Sequence, residues 1–373
     1  MEITLAAKIK ISPTDNQIKL IEETYTAYCE GCNYVSEIIY KTGITSQRKL
    51  HKKAYLELRK KYKLRSQMAQ SVIKTSISKY KSLKSNGHDW NLVKFKKREY
   101  DLVWSRDYSL NKNLFSINTL EGRIKVGYEI KGMEKYFEED WSFGTAKLIK
   151  NKRMFFLHIP VTKNIKETRL SEIKQIVGID LGLNFIATIY DSDGKTKFYN
   201  GGNIKDKRAH YSQLRKQLQK KKTPSSRRKL KKIGRRESRW MADVNHQITK
   251  ELVDYYEENT LFVLEDLSNV RNATEKVRKK DRYFSVSWSF YQFRSFLEYK
   301  ALMNDSKVIL VSPKYTSQTC PKCGHTEKNN RNKRKHIFKC KECEYTSNDD
   351  RVAAMNIRQK GIEYLAEKTT SVY

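Results

Sequence analysis

The chain has 373 residues, 38% of them hydrophobic, which is enough to bury a core and to form two or three domains. Lysine and arginine outnumber aspartate and glutamate 76 to 42, and the net charge is +34. Solubility requires a net charge of only about 2–8, so solubility alone does not explain the charge of this chain. The excess of basic residues predicts an extended anionic partner.

The sequence contains no apolar stretch of about 18 residues and no leader in which a charged segment precedes an apolar one. We therefore expect an intracellular protein that is not associated with a membrane. Its six cysteines form three Cys-x2-Cys pairs. In a reducing compartment such pairs predict metal binding or core packing rather than disulfides.

The N-terminal part predicts a small β unit with inserted helices. Residues 1–12 predict a strand, and the following SPTDN predicts a turn and a helix cap. Apolar residues then recur every three or four positions from about Gln17 to Ser85, with lysines on the other faces, which predicts a basic helical bundle. Between about Trp90 and Thr162 the period falls to two, which predicts strands. Since one strand precedes the helices and the others follow them, we expect the bundle to be an insertion into one barrel.

The first cysteine pair, Cys29 and Cys32, lies on the first predicted helix. Ile21, Tyr25 and Val35 continue an apolar stripe around it, and no second pair follows at ribbon spacing. Core packing is therefore favoured over the alternatives, metal binding or redox chemistry.

From Ile176 the pattern changes to α/β. The segment IVGIDLGLNFIATIYDSDGKTKFYNG predicts a hairpin or meander, and LFVLEDL and KVILVSP predict short buried strands separated by helices. Asp191, Asp193 and Gly194 resemble the opening of a calcium loop, but the later ligand positions are absent. A hairpin turn is therefore the favoured interpretation.

The most basic stretch runs from Lys205 to Arg239, where 16 of 35 residues are lysine or arginine and only Asp206 and Glu237 are acidic. The TPSS in its middle predicts a helix, a turn and a second helix. Because opposite charges for i,i+4 pairing are nearly missing, phosphate contact is favoured over a merely solvated face. The candidate nucleic-acid-binding residues are Arg208, Arg215, Lys216, Lys220, Arg227, Arg228, Arg235, Arg236 and Arg239. In the helix predicted to follow, His246 is interpreted as structural, with an approach to the site as the alternative.

Three carboxylates stand at the end of an apolar run or at the start of a helix. Asp180 follows Val-Gly-Ile and precedes Leu-Gly, whose glycine permits close approach of a metal or phosphate. Glu265 ends LFVLE, and the adjacent Asp266 is expected to point to the opposite face. Together with Asp350 they predict a site for two magnesium ions about 3.5–4 Å apart, with manganese as an alternative, for phosphodiester cleavage. Any one of them alone would also fit an ordinary loop or cap residue.

The last two cysteine pairs form the frame C-x2-C-x16-C-x2-C. Four thiolates complete the tetrahedral shell of Zn²⁺, so the frame predicts a closed, structural zinc site with a basic two-stranded ribbon between the pairs. The predicted ligands are Cys320, Cys323, Cys340 and Cys343. His325 and His336 are alternative ligands that four cysteines make unnecessary.

These segments resemble the TnpB proteins encoded by insertion sequences, which are RNA-guided DNA nucleases related to the miniature type V CRISPR effectors. The resemblance covers about residues 176–360 and rests on GIDLG, LEDLSNVR, SPKYTSQTCPKCG, CKECEYTSNDDRVAAMNI and SRWMADVNHQITK. It implies a multidomain α+β fold. The implied parts are a wedge-like β-barrel (1–12 and 88–172), an inserted helical recognition bundle (13–87), an RNase H-like RuvC nuclease domain (173–317 and 346–373) and a zinc ribbon (318–345).

The resemblance also implies that Asp180, Glu265 and Asp350 are the metal-binding catalytic acids. The family's usual D-x-N-A-A-x-N-I is here Asp350-Arg-Val-Ala-Ala-Met-Asn-Ile, with Val352 in place of the asparagine. The AAMNI run selects Asp350, and Asp349 remains a lesser candidate.

The partners implied by the resemblance are a guide RNA from the protein's own locus and target double-stranded DNA next to a short duplex motif. A monomer is favoured. The location implied is the cytoplasm of a bacterial or phage-infected cell, in association with the nucleoid. Two alternatives remain: a CRISPR-associated miniature effector, and a nuclease-inactive, RNA-guided DNA-binding repressor, which would be expected to lose at least one of the three acids. A transposase that acts directly on DNA strands is disfavoured, because no tyrosine-histidine nucleophile signature is evident.

Overall fold

The computed structural model describes residues 1–96, 99–111, 114–138, 140–182, 184–267 and 288–370. The chain divides into two compact units, Met1–Asn164 and Ile165–Tyr373. Within the described ranges, none of the helices has the length and apolar character needed to cross a bilayer. The last four residues of the LEDLSNVR motif lie outside the described residues.

The first unit is built on an eight-stranded antiparallel sheet that forms a nearly closed β-barrel. Its order is β2-β7-β8-β1-β5-β4-β3, with β6 paired to β8. The first strand pairs with β8 from Glu2 to Ile11 and with β5 from Lys10 to Ser12, so the strand before the helices joins the sheet formed after them. The strands are β1 (Glu2–Ser12), β2 (Glu99–Leu102), β3 (Tyr108–Asn111), β4 (Leu114–Thr119), β5 (Gly122–Glu129), β6 (Ser142–Phe143), β7 (Ala146–Asn151) and β8 (Met154–Asn164).

Three helices lie in the chain between β1 and β2: α1 (Asp15–Thr42), α2 (Gln47–Lys60) and α3 (Ser66–Ser85). The cap predicted at SPTDN is present, because the Thr14 side chain accepts a hydrogen bond from the Gln17 backbone N–H and the Gln17 side-chain oxygen accepts one from the Thr14 backbone N–H. Cys32 is buried with the apolar stripe of α1, and the Cys29 thiol donates to the carbonyl of Phe95 at 3.1 Å. The predicted core packing is confirmed for Cys32, whereas Cys29 is half-buried at the edge of the stripe.

The second unit contains a five-stranded mixed sheet of order β11-β10-β9-β12-β13. Strands β9 to β11 form the predicted antiparallel meander, whereas β12 runs parallel to both β9 and β13. The hairpin after β10 is closed by Asp191, whose Oδ1 accepts from the N–H groups of Asp193 and Lys195, as expected for a turn. The strands are β9 (Gln175–Asp180), β10 (Phe185–Tyr190), β11 (Thr196–Asn200), β12 (Thr260–Glu265), β13 (Lys307–Val311), β14 (Arg331–Asn332), β15 (Ile337–Lys339) and β16 (Thr346–Asn348).

Helices cover both faces of this sheet. The α-helices among the described residues of this unit are α4 (Gly202–Lys221), α5 (Pro224–Tyr256), α6 (Trp288–Met303) and α7 (Asp349–Thr370). Alternate residues of each strand point to opposite faces. Phe262 and Leu264 of β12 pack with residues of α5 and α6, while Leu261 and Val263 pack with Ile357 of α7.

The contact between α7 and β9 is unusually close. A Cβ atom at Gly178 would lie against the carbonyl oxygen of Ala354 and 2.6 Å from the backbone nitrogen of Arg358. Both of those atoms belong to the helix backbone, which no side-chain rotation can move away. The glycine at this position therefore sets how near the helix approaches the strand.

We expect Gly178→Ala to destabilise the second unit by about 3 kcal/mol or more, because the added methyl group overpacks against the backbone. The matched control is Gly234→Ala in α5, where a Cβ would meet no atom within 4 Å and where alanine stabilises a helix by up to about 1 kcal/mol. Denaturant unfolding followed by circular dichroism measures both. Equal stability of the two variants would contradict the close approach described here.

Candidate carboxylate and metal centre

Asp180 and Glu265 end neighbouring parallel strands. In the pairing of β9 with β12, Ile179 lies opposite Leu264, so the next residue on each strand is one of the two acids. The carboxyl ends of parallel strands meet at one edge of a sheet, where ligands usually bind. The strand register therefore brings these two predicted site residues together.

Both carboxylates lie on the face of the sheet that α7 covers. Asp180 shares a face with Gly178, which the helix touches, and Glu265 shares a face with Val263. Asp350 stands one helical turn before Ala354, the residue packed on Gly178, and so lies near the end of β9. The helix begins there because the side chain of Asn348 accepts the backbone N–H groups of Asp350 and Arg351, each at 3.0 Å.

The three acids form one electrostatic cluster. Burial raises the pKa of Asp180 well above its usual range, and the charges of Glu265 and Asp350 raise it further, against the lowering effect of Arg331. Burial also raises the pKa of Glu265, partly offset by a hydrogen bond from Thr316. Burial and the charge of Asp349 raise the pKa of Asp350. Concentrated negative charge of this kind is what a divalent cation neutralises.

Glu265 is oriented by the segment that follows β13. The Thr316 hydroxyl donates to Glu265 Oε1 at 2.5 Å. Asn356 of α7 fixes that segment, since its side-chain amide donates to the carbonyls of Thr316 at 2.6 Å and Thr319 at 2.8 Å. Lys360, one turn further, donates to the carbonyls of Ser312 and Lys314 at 2.7 and 2.8 Å. The asparagine of the AAMNI run thus holds the hydroxyl that positions Glu265.

Asp349 has a different environment from Asp350. It is fully buried, and its Oδ2 accepts from Arg331 Nε at 2.7 Å, whereas Arg331 approaches Asp350 only to 3.6 Å. Of the two, Asp350 has the larger electrostatic effect on Asp180. This difference supports Asp350 as the third acid. Asp349 is instead paired with Arg331, in the basic segment between the cysteine pairs.

The four cysteines predicted to bind zinc converge, with all four Sγ atoms within 4.8 Å of one another. The Sγ atoms of Cys320 and Cys343 are 3.6 Å apart, as are those of Cys323 and Cys340. A disulfide requires about 2.05 Å, whereas thiolates at about 2.3 Å from a tetrahedral Zn²⁺ lie roughly 3.8 Å apart. The arrangement therefore fits a zinc ion. Neither His325 nor His336 belongs to this cluster.

The basic stretch forms a helical hairpin of α4 and α5. Thr223 caps α5 with Pro224 at its first position, which is the break predicted at TPSS. Of the nine predicted contact residues, seven are exposed and Arg208 and Arg215 are half-buried. Arg215 forms an ion pair with Glu237 of α5, so this arginine also holds the two helices together.

His246 has the structural role that was predicted. Its ring stacks on Phe296 of α6 with centroids 3.6 Å apart, and its carbonyl accepts from Lys300. The residues that sequence reasoning missed are Thr316, Arg331 and Asn356, and it considered His336 only as a zinc ligand. Arg331 carries no sequence signal, because it reaches the site only when the segment between the cysteine pairs folds back on the start of α7. Thr316 and Asn356 stand in the quoted SPKYTSQTCPKCG and AAMNI segments, which could have drawn attention to them.

Two family models match the chain. The model OrfB_IS605, described as "Probable transposase", matches residues 158–276, and the TNB-domain model of Cas12f1-like proteins matches residues 290–357. Together they cover the segments that contribute the three acids and the four cysteines.

Sequence similarity to individual proteins indicates the same families. A TnpB-like protein of Methanocaldococcus jannaschii is 29% identical over 64% of this chain and 86% of its own length. The CRISPR-associated endodeoxyribonuclease Cas12f1 of Sulfoacidibacillus thermotolerans is 25% identical over 62% of this chain. That alignment spans about half, 56%, of the length of Cas12f1.

Among solved structures, the mini-RNA-guided endonuclease CRISPR-Cas phi3 superposes with a TM-score of 0.59 at 11% identity. The superposition covers 96% of this chain and 92% of the other, so the two share a fold. The resemblance predicted from the acidic and cysteine motifs is therefore confirmed: this chain is similar to TnpB-like proteins and to Cas12f effectors.

Proposed function

We propose that the chain is an RNA-guided DNA endonuclease of the TnpB type. The observation that carries the proposal is the convergence of Asp180, Glu265 and Asp350 at one sheet edge, where burial raises the pKa of each acid and the charges of the other two raise that of Asp180 further. Structural acids are usually paired with bases, whereas this cluster has an excess of negative charge that a bound cation would balance. The names of the relatives, an endodeoxyribonuclease and an RNA-guided endonuclease, support the same activity.

The second unit is proposed to be a RuvC nuclease domain of RNase H-like fold, over 173–317 and 346–373, with the zinc ribbon at 318–345. A meander of three antiparallel strands followed by parallel strands, with helices on both faces, supports this assignment. In the first unit the proposal assigns 1–12 and 88–172 to a wedge-like barrel and 13–87 to a recognition bundle. The insertion of α1 to α3 between strands of one sheet supports that division.

Asp180, Glu265 and Asp350 would hold magnesium, because hard carboxylate oxygens are the donors that this ion prefers. Bound magnesium would supply water activation and stabilisation of the leaving oxygen. The protein's own contribution is orientation: Thr316 fixes the rotamer of Glu265, and Asn348 fixes the helix start that carries Asp350. Arg331 adds a positive charge beside the cluster that limits the repulsion between the acids.

Guide RNA and target DNA are the proposed polyanionic partners. The exposed arginines and lysines of α4 and α5 lie on a hairpin with few acidic neighbours, and the whole chain carries +34. Such a surface binds phosphates with an affinity that falls steeply with salt. Base pairing between guide and target would supply most of the sequence specificity.

We expect Asp180→Ala and Glu265→Ala each to reduce plasmid cleavage by about a thousandfold or more, since a metal-binding acid supplies several kcal/mol of transition-state stabilisation. Guided DNA binding should be retained. The measurement uses protein co-purified with RNA from its native locus, and cleavage directed by that RNA with magnesium. Asp266→Asn, at the residue that follows β12, is the control. Cleavage by both alanine variants at the wild-type rate would contradict the site.

We expect Cys320→Ser to lower the zinc content below one ion per chain and to lower the melting temperature, because a four-thiolate site stabilises the fold that it closes. Metal analysis and thermal unfolding measure the two effects. Cys29→Ser, outside the ribbon, should retain zinc. Unchanged melting of Cys320→Ser, with no zinc in either protein, would refute the structural zinc ion.

The raised pKa values predict a pH-dependent stability. A carboxyl whose folded-state pKa lies above its unfolded value, about 4, contributes stability that is present below that value and is lost as the pH rises through the folded-state pKa. Asp180→Asn should therefore raise the melting temperature of zinc-loaded, magnesium-free protein at about pH 7.5 and have little effect at about pH 5. Asp193→Asn, in the exposed hairpin turn, is the control. A gain of equal size at both pH values would show that ionisation is not its cause.

A further inference from the structure

His336 lies in the turn between β14 and β15 of the ribbon, with its backbone in the left-handed region at φ 53°. Its carbonyl accepts from the backbone N–H of Asp349 and from the side-chain amide of Asn348, each at 3.4 Å. The turn is therefore tied to the start of α7, where the acids stand. This connection places an imidazole beside the carboxylate cluster.

The ring faces two acids. Donor atoms of His336, Asp349 and Asp350 all lie within 4.8 Å of one another, a spacing that one cation can span. His336 Nδ1 is 3.4 Å from Asp349 Oδ1. Ligands at about 2.1 Å from an octahedral ion lie roughly 3 Å apart when they are adjacent. The separation thus requires only a small adjustment.

An independent feature also points to a ligand. Asp349 is fully buried, and its Oδ1 has no hydrogen-bond partner among the described residues. The other oxygen, Oδ2, is occupied by Arg331. A buried carboxylate oxygen without a partner is costly, so such an atom usually marks the position of an ion or a water molecule.

Asn184 also contacts the ring, with its side-chain amide nitrogen against Nε2 of His336 and 3.3 Å from Nδ1. The oxygen and nitrogen of an asparagine amide can be exchanged by a half-turn of the side chain. With the amide oxygen at Nε2, the ring would donate its Nε2–H to Asn184 and Nδ1 would keep its lone pair toward Asp349. Histidine ligands of metals commonly donate their other N–H to such an acceptor. Asn184 is therefore suited to hold the ring in its ligating tautomer.

We propose that His336, Asp349 and Asp350 form a mixed nitrogen and oxygen cation position in the carboxylate site, with His336 as its imidazole ligand. Imidazole binds manganese and later transition metals better than magnesium, so the position would favour Mn²⁺ over Mg²⁺. The proposal rests on the proposed function in sharing Asp350 with the catalytic acids. It adds that the zinc ribbon contributes a metal ligand to the site as well as structure.

The test is pulsed electron paramagnetic resonance of Mn²⁺ added to the full-length, zinc-loaded chain without nucleic acid, because a directly bound imidazole adds a ¹⁴N modulation to the manganese signal. Wild type should show this modulation. His336→Asn should lose it and bind Mn²⁺ roughly tenfold or more weakly. Asparagine tolerates the left-handed backbone at this position, so the turn is retained. His325→Asn, also in the ribbon, should keep the modulation.

The outcomes separate this inference from the proposed function. Bound Mn²⁺ without ¹⁴N modulation in wild type, or a modulation unchanged in His336→Asn, would overturn the histidine ligand and leave the nuclease assignment intact. Failure of wild type to bind either Mn²⁺ or Mg²⁺ would overturn both. Zinc content and circular dichroism of each variant confirm folding, and the wild-type spectrum alone decides if His336→Asn does not fold.

Discussion

The second unit depends on the close packing of α7 against β9 at Gly178. Any larger residue would push the helix outward, and with it Asp350, which lies one turn from the contact. The same helix carries Asn356 and Lys360, which hold the segment that bears Thr316. One backbone contact therefore determines the position of one acid directly and the orientation of a second through hydrogen bonds. The segment that carries the four cysteines precedes α7 and is held against the same helix start by Asp349 and His336.

Electrostatics sets the second constraint. The chain concentrates acids at one sheet edge although basic residues outnumber acidic ones throughout the sequence. Few positively charged side chains lie beside these buried acids, and Arg331 is the main one. If every acid were paired with a base, no negative charge would remain to bind a cation. The remaining basic residues of α4 and α5 lie largely at the surface, where phosphate groups can reach them. Separation of the two kinds of charge allows one molecule to attract a polyanion and still keep an anionic centre.

Much of this arrangement could be predicted from the sequence. Period two and period 3.6 predicted the strands and helices, and the apolar runs before Asp180 and Glu265 placed them at strand ends, since both patterns reflect local burial. The cysteine spacing predicted a cluster because one ion constrains four thiolates. The α5 helix was expected in two pieces, but it continues from Pro224 to Tyr256, because nothing after Arg239 breaks it. The roles of Arg331, Thr316 and Asn356 were not predicted, although the last two stand in the quoted motifs, because their contacts join segments 18 to 51 residues apart and leave no periodic trace.

The length of α5 affects how such a chain can change during evolution. Its 33 residues span about 50 Å. The C-terminal residues Ile248, Leu252, Val253 and Tyr256 belong to the core of the unit, whereas Ile233 in the other half is buried beside α4. The N-terminal half of α5, which pairs with α4, and the C-terminal half, which packs in the core, thus belong to one continuous helix but share few packing contacts. Whole helical turns can be gained or lost in the N-terminal half of α5 without repacking the core. The length of the basic surface can therefore evolve separately from the carboxylate site.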